Sequence, residues 1–157
     1  MGLYNKESGY GKHSQTMPYL GGGQVFVVAK NAAAGRQIMQ DTFKGFAGVN
    51  RYFATIDSAI SACTANRGDT IYVAPGHTEA VTATSLNLNV AGVTVIGIGS
   101  GSMKPTLTFG ATTSLINVTA SDCTLQNFRL TAGVGNVVTA VLHATAAKNT
   151  RYLDIEF

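Results

Sequence analysis

From residue 70 onward the chain alternates apolar and polar side chains in short β-branched runs. That period of two is the mark of strands with one covered face. The runs are 70–74 (TIYVA), 93–98 (VTVIGI), 106–109 (TLTF), 114–119 (SLINVT), 123–130 (CTLQNFRL), 137–145 (VVTAVLHAT) and 150–157 (TRYLDIEF). Ser, Gly and Asn link them, and no Asn-Gly or Asp-Gly pair marks a tight hairpin. A further strand is expected at 24–30 (QVFVVAK). The period changes to that of a helix over 55–66: Phe53, Ile56, Ala59, Ile60 and Cys63 share one face, Thr55 fits the N-cap, Asp57 the first turn, and Gly68 the stop. Residues 31–50 place Ile38, Met39 and Phe43 at helical spacing, but Gly35, Gly45 and Gly48 interrupt them, and the stretch reads as irregular.

The strands repeat. Cys123, Leu125, Phe128 and Leu130 match Thr150, Tyr152, Ile155 and Phe157 at an offset of 27. Val93, Val95 and Ile98 precede Cys123, Leu125 and Phe128 by 30, and Ile71 and Val73 precede Val93 and Val95 by 22. Unequal offsets that keep the apolar register suit a coil whose turns vary while its strands stack. In such a stack Arg129 lies over Glu156 and Asn127 over Asp154.

Composition narrows the class. Of 157 residues, 45% are hydrophobic, only 12% are charged and 18 are glycine, which fits one β-rich domain, or one domain plus an arm, with a Thr/Ser/Asn surface. The net charge of +3 and pI near 9.0 are mild and give no nucleic-acid signature. The positive excess sits in the first 67 residues, where an acidic surface would meet it. No secretion signal and no membrane-spanning run are visible, so assembly in a cytoplasm is expected. Cys63 and Cys123 lack metal or redox spacing and read as small buried side chains.

Residues 1–23 are glycine-rich, with scattered tyrosines and no period. They read either as a solvated terminus or as an extended arm that orders on a partner; the low charge favours the arm. Three segments follow: the arm 1–23, a strand and irregular anchor region 24–50, and a coil 51–157 that includes the helix 55–66.

The run Thr55-Ile-Asp-Ser-Ala-Ile-Ser-Ala-Cys63, with Gly68-Asp-Thr-Ile-Tyr-Val-Ala-Pro-Gly76 and Val93-Thr-Val-Ile-Gly-Ile-Gly99, resembles the front of a pectin-lyase-like right-handed β-helix. The resemblance covers roughly residues 50–157. It implies an all-β fold: a short right-handed parallel β-helix with an N-terminal capping helix and an extended N-terminal arm. It also implies that 68–76 forms the first rung and 93–99 the second. Short coils behind a Gly-rich arm resemble virion proteins of tailed bacteriophages, which implies a non-enzymatic structural protein. The expected form is a homotrimeric capsid decoration (cement) protein on the virion surface, bound to the major capsid protein or another virion protein. A tailspike or fibre portion is the second expectation. On the first, the partner contacts are Tyr4, Lys6, Tyr10, Lys12, His13, Tyr19, Phe26 and Arg36, with no nucleic acid, membrane or cofactor involved. The sequence stops on a strand at Phe157, so the last rung is expected to be covered by another subunit or by a longer protein.

Candidate chemistry is sparse. The eight acids do not cluster. Asp69 and Asp122 read as turn residues, and Asp154 and Glu156 as a solvated ladder that could at most hold a cation or act as an acid pair. His13, His77 and His143 have no zinc spacing. Gly97–Lys104 fails the phosphate-loop pattern and reads as a turn between rungs. Asn117-Val-Thr119 is a formal glycosylation sequon, more readily explained as strand.

Overall fold

The computed structural model describes residues 22–30, 51–82 and 86–157. It is a parallel β-solenoid of about four turns with one short helix. Each strand lies on the equivalent strand of the turn below, and all pairings are parallel.

Three faces run up the coil. The first stacks β2 (Tyr52–Phe53), β1 (Val25–Val28), β3 (Thr70–Val73), β6 (Thr94–Gly97) and the start of β9 (Thr124–Ala132). The second stacks β4 (Thr78–Val81), β7 (Thr106–Phe109) and the end of β9. The third stacks β5 (Leu86–Leu88), β8 (Ile116–Val118) and β10 (Val141–His143). Strand β11 (Arg151–Glu156) lies over β9 along both halves. Inward residues form apolar columns such as Ile71, Val95, Leu125 and Tyr152, or Leu86, Ile116 and Val141. The lower members of these columns are buried in one continuous core. Outward columns are mixed: Thr70, Thr94 and Thr124 form a polar one and the Asn117 amide donates to Asn87 Oδ1 at 3.3 Å, whereas Val27, Tyr72 and Ile96 form an apolar one.

The coil turns its corners with left-handed residues. Asn127 (φ 62°) bends β9 from the first face to the second, and Asp154 (φ 52°) bends β11 one rung above. This residue makes the apolar spacing along both strands two, three, two. The bend is fixed by Asn127 Nδ2, which donates to Gly97 O at 2.8 Å and Gly99 O at 2.9 Å. Gly97 is required there, because a β-carbon would collide with the Asn127 carbonyl. A second left-handed column, Asn66, Gly92, Asp122 and Asn149, leads into the first face. Its backbone bonds repeat: the N–H groups of Asn66, Gly92 and Asp122 donate to Ala91, Ser121 and Lys148, each one rung up.

Several expectations are corrected. The helix α1 is Ile56–Ser61, shorter than 55–66. Thr55 does cap it, accepting the Ser58 N–H at 3.3 Å, but the Asp69 carboxylate takes the Thr64 N–H and Asn66 turns left-handed, so the helix cannot continue. The register between β3 and β6 is 24, not 22: Ile71 pairs with Val95 and Val73 with Gly97. Alternation is blind to any even slip, and the turn bond from Thr94 N–H to Asp69 O sets the choice. The offset of 30 holds for Val95 and Leu125, but Ile98 leaves the column after Gly97 and packs outside with Val27, Ala29, Ala74 and Tyr72. The offset of 27 holds from Arg151 to Glu156. The run 68–76 is not the lowest rung, since β1 and β2 lie beneath it. Strands β2, β4 and β5 were not anticipated: the first and third are two and three residues long, and β4 points a charged Glu79 inward. The run 137–145 keeps only Val141–His143 as strand.

Asn127 supplies both a tolerated left-handed backbone and two hydrogen bonds. Asn127→Ala is therefore expected to cost about 2–3 kcal/mol in urea unfolding, and Asn127→Gly about 1 kcal/mol less. Equal losses would show that the corner is not held by backbone conformation.

Candidate functional site

The two ends of the coil differ. Toward the lower end α1 packs on the core with Ile56, Ala59 and Ile60, all buried. Two buried acids hold it there. Asp69 accepts Arg67 Nε at 2.6 Å and Nη2 at 2.7 Å, with the Gln24 and Thr64 N–H groups at 2.7 Å each. Burial alone would raise its pKa, but the Arg67 guanidinium and the two N–H donors outweigh burial and hold it below the usual carboxylate range. Glu79 accepts the Ile56 N–H at 3.0 Å and faces His77 Nε2 at 3.1 Å, so a neutral His77 carries its proton on Nε2. Asp69, expected in a turn, and His77 are thus both buried beside α1.

At the upper end the last rung is uncovered. The outer edges of β10 and β11 carry no strand among the described residues. Val138 is 75% exposed, Leu142 48%, Tyr152 38%, Leu153 43% and Phe157 91%. His143 meets Tyr152 edge-on across this rung, with ring centroids 6.5 Å apart. Every other exposed large apolar side chain except Met103 is therefore on one end of the coil, among the described residues. Together these side chains form one apolar surface on the last described rung.

Ionic clips fasten this rung from below. Glu156 Oε1 accepts Lys104 Nζ at 2.9 Å and Oε2 accepts Arg129 Nε at 3.1 Å, placing Arg129 under Glu156 as the repeat requires. Hydrogen bonds from Lys104 first, then Arg129, hold the Glu156 carboxyl below its usual range despite slight desolvation. Lys104 itself is buried, so Glu156 is its charge partner across two rungs. At the opposite end of β11 an open groove of about 520 Å³ is lined by Asp122, Thr124, Asn149, Thr150 and Arg151. Asn149 Nδ2 donates to Asp122 Oδ1 there at 3.0 Å, which ties adjacent turns.

Of the sequence-predicted contact residues, Phe26 is corrected. It is 1% exposed, points into the core against Phe53 and is not available to a partner of the folded coil. The other face of β1 is covered too, since Val27 packs with Ala29 and Ala74. Tyr4, Lys6, Tyr10, Lys12, His13, Tyr19 and Arg36 lie outside the described residues. The arm and the region 31–50 do likewise.

The two thiols are free and held neutral. Burial, then the charge of Asp69, pushes Cys63 up to about 12, and burial also raises Cys123. Among the described residues no three His, Cys, Asp or Glu side chains group to hold a metal ion, and no helix is long and apolar enough to cross a membrane. Comparison of the chain with family models, curated proteins and solved structures finds no match.

The lowered carboxylates fix the acid response. Asp69 and Glu156 stabilise the fold fully above the ordinary carboxylate range, and that stability is lost as pH falls through their lowered values. Stability should therefore decline from about pH 4 downward. Asp69→Asn should flatten part of that slope and cost on the order of 2–3 kcal/mol at neutral pH, because donors aimed at the carboxylate lose an acceptor. Denaturant midpoints across pH 2–7, in steps of about one unit, measure both effects.

Proposed function

We propose that this chain is a non-enzymatic structural protein whose work is to join other protein surfaces into an assembly. What supports the reading is the group of exposed apolar side chains in and beside β10 and β11: Val138, Leu142, Tyr152, Leu153 and Phe157. The buried ionisable groups point the same way. Asp69, Glu79 and Lys104 are each spent on closing the cap or fastening a rung, which leaves them poorly placed to act on a substrate.

The finer setting rests on the resemblance of Gly68–Gly76 and Val93–Gly99 to the right-handed β-helices of tailed-phage virions. On that ground the chain is proposed to be a homotrimeric decoration protein of a capsid. Right-handed winding also agrees with the general hand of parallel crossovers. Residues 1–23, with Tyr4, Lys6, Tyr10, Lys12, His13 and Tyr19, would then lie on the shell together with Arg36. The coil would stand away from it, and modest contacts multiplied by symmetry would give avidity. The second reading, a portion of a tailspike or fibre, is favoured by the same uncovered rung, on which further rungs could be laid.

The test is the mass in solution by light scattering, for the full chain and for the chain lacking residues 1–23. The proposal expects multiples of three of the 16.3 kDa subunit in both forms, with the arm free for another surface. A monomer at all concentrations would overturn the assembly reading.

A further inference from the structure

The link from β1 to β2 runs against the rest of the coil. Along the first face the strands lie in the order β2, β1, β3, β6 and β9, all parallel. The steps from β3 to β6 to β9 therefore climb, and the step from β1 to β2 descends. A parallel step needs a crossover of a dozen or more residues. Residues 31–50, which lie outside the described residues, supply it. It can pass round the core, as the turns above do, or across the outer side of the sheet. Such links within one sheet are right-handed in about 98% of cases. Turns that climb round the core and a turn that descends round it have opposite hands, so they cannot both obey that rule. A descent across the outer side has the same hand as a climb round the core.

The core side of these strands is also taken. Phe26 of β1 and Phe53 of β2 meet there with ring centroids 6.0 Å apart, and Ile56, Ala59 and Ile60 of α1 pack into the same core. The outer side is apolar. Tyr52, Val27, Tyr72 and Ile96 form one outward column, which turns polar at Gln126. Ala29, Ala74 and Ile98 stand beside it, in a cluster separate from the core. Val27 is 1% exposed, Ala29 4% and Ala74 0%, whereas Ile96, higher in the column, is only half-buried. Four strands at roughly 4.8 Å per step make a patch about 14 Å high. That is room for one segment about 10 Å across. The small side chains of Ala29 and Ala74 let it approach closely. Residues 31–50 begin and end at this patch, and they carry Ile38, Met39 and Phe43.

We propose that residues 31–50 cross the outer side of the first face and seat these apolar side chains on the patch around Val27, Tyr72 and Ala74. The proposal is independent of the assembly reading above. It makes the outer side of the lower rungs an internal contact of the chain and takes Ile38, Met39 and Phe43 away from any partner.

The experiment puts a photoreactive benzoylphenylalanine in place of Tyr72 in the full chain, and in place of Gln126 as the control beyond the patch. After irradiation and digestion, mass spectrometry identifies the captured peptide. Capture within residues 31–50 from position 72, and not from position 126, is expected. Should the substitution at Tyr72 unfold the coil, Ile98 carries the same probe. Capture of residues 1–21, capture of a second copy, no capture, or equal capture from both positions overturns the proposal. Alongside, labelling of Ala74→Cys by a water-soluble maleimide is timed with and without the triple change Ile38→Ser, Met39→Ser and Phe43→Ser. The triple change should speed it at least about tenfold, since the thiol no longer waits for the segment to open. Cys123, fully buried in the core, should stay unlabelled, which shows that the coil is intact. An unchanged rate at position 74 would show that another segment covers the patch and would also overturn the proposal.

Discussion

Parallel in-register stacking is the constraint on which everything else here depends. Each strand must bond to the one below at about 4.8 Å, so like side chains recur in columns and a residue's surroundings are set by its neighbours one turn away. Apolar columns close inward into a single core that a 157-residue chain with few charges can fill. Facing out, threonine and asparagine ladders stand beside a smaller apolar column through Val27, Tyr72 and Ile96. The same constraint makes the ends the weak points, because a rung without a neighbour exposes both its backbone edge and its apolar column.

The two ends meet that problem differently. Below, the chain folds α1 across the core and anchors it with buried carboxylates. Asp69 gathers two turns and the strand entering the coil, while Glu79 reaches down to the helix backbone. Above, Glu156 fastens β11 downward through Lys104 and Arg129, but nothing among the described residues covers its outer side. Among the described residues, a helix packs on the core near one end, while exposed apolar side chains gather at the other.

Much of this was legible in the sequence, and the remainder has identifiable causes. The offset of 27 is visible because the apolar spacing of β9 is copied in β11, corner included, from Leu125 and Phe128 to Tyr152 and Ile155. The β3–β6 register slipped by two because alternation repeats every two residues and carries no finer mark. Ile98 was misplaced because Asn127 pulls the preceding glycines into a turn, an interaction between residues 28 to 30 apart. Its signature was nonetheless present. Asn127 and Asp154, and Asn66, Gly92, Asp122 and Asn149, are residues that tolerate a left-handed backbone, spaced by one turn of the coil. Charged Glu79 concealed β4, since an inward carboxylate reads as a solvent-facing residue until its helix partner is known. Phe26 looked like an anchor for a partner beside the arm, but its strand is the floor of the core.

Hydrogen exchange on the full chain tests the account of a coil held by its stacked rungs, with α1 packed on the core near one end, most directly. It predicts slow exchange for the amides of β3, β6 and β9, protected between rungs, and retained protection at Ile56, whose N–H is bonded to Glu79. It predicts faster exchange in β11, which pairs with β9 alone among the described residues. Fast exchange at Ile56, or a β11 as protected as β9, would contradict it.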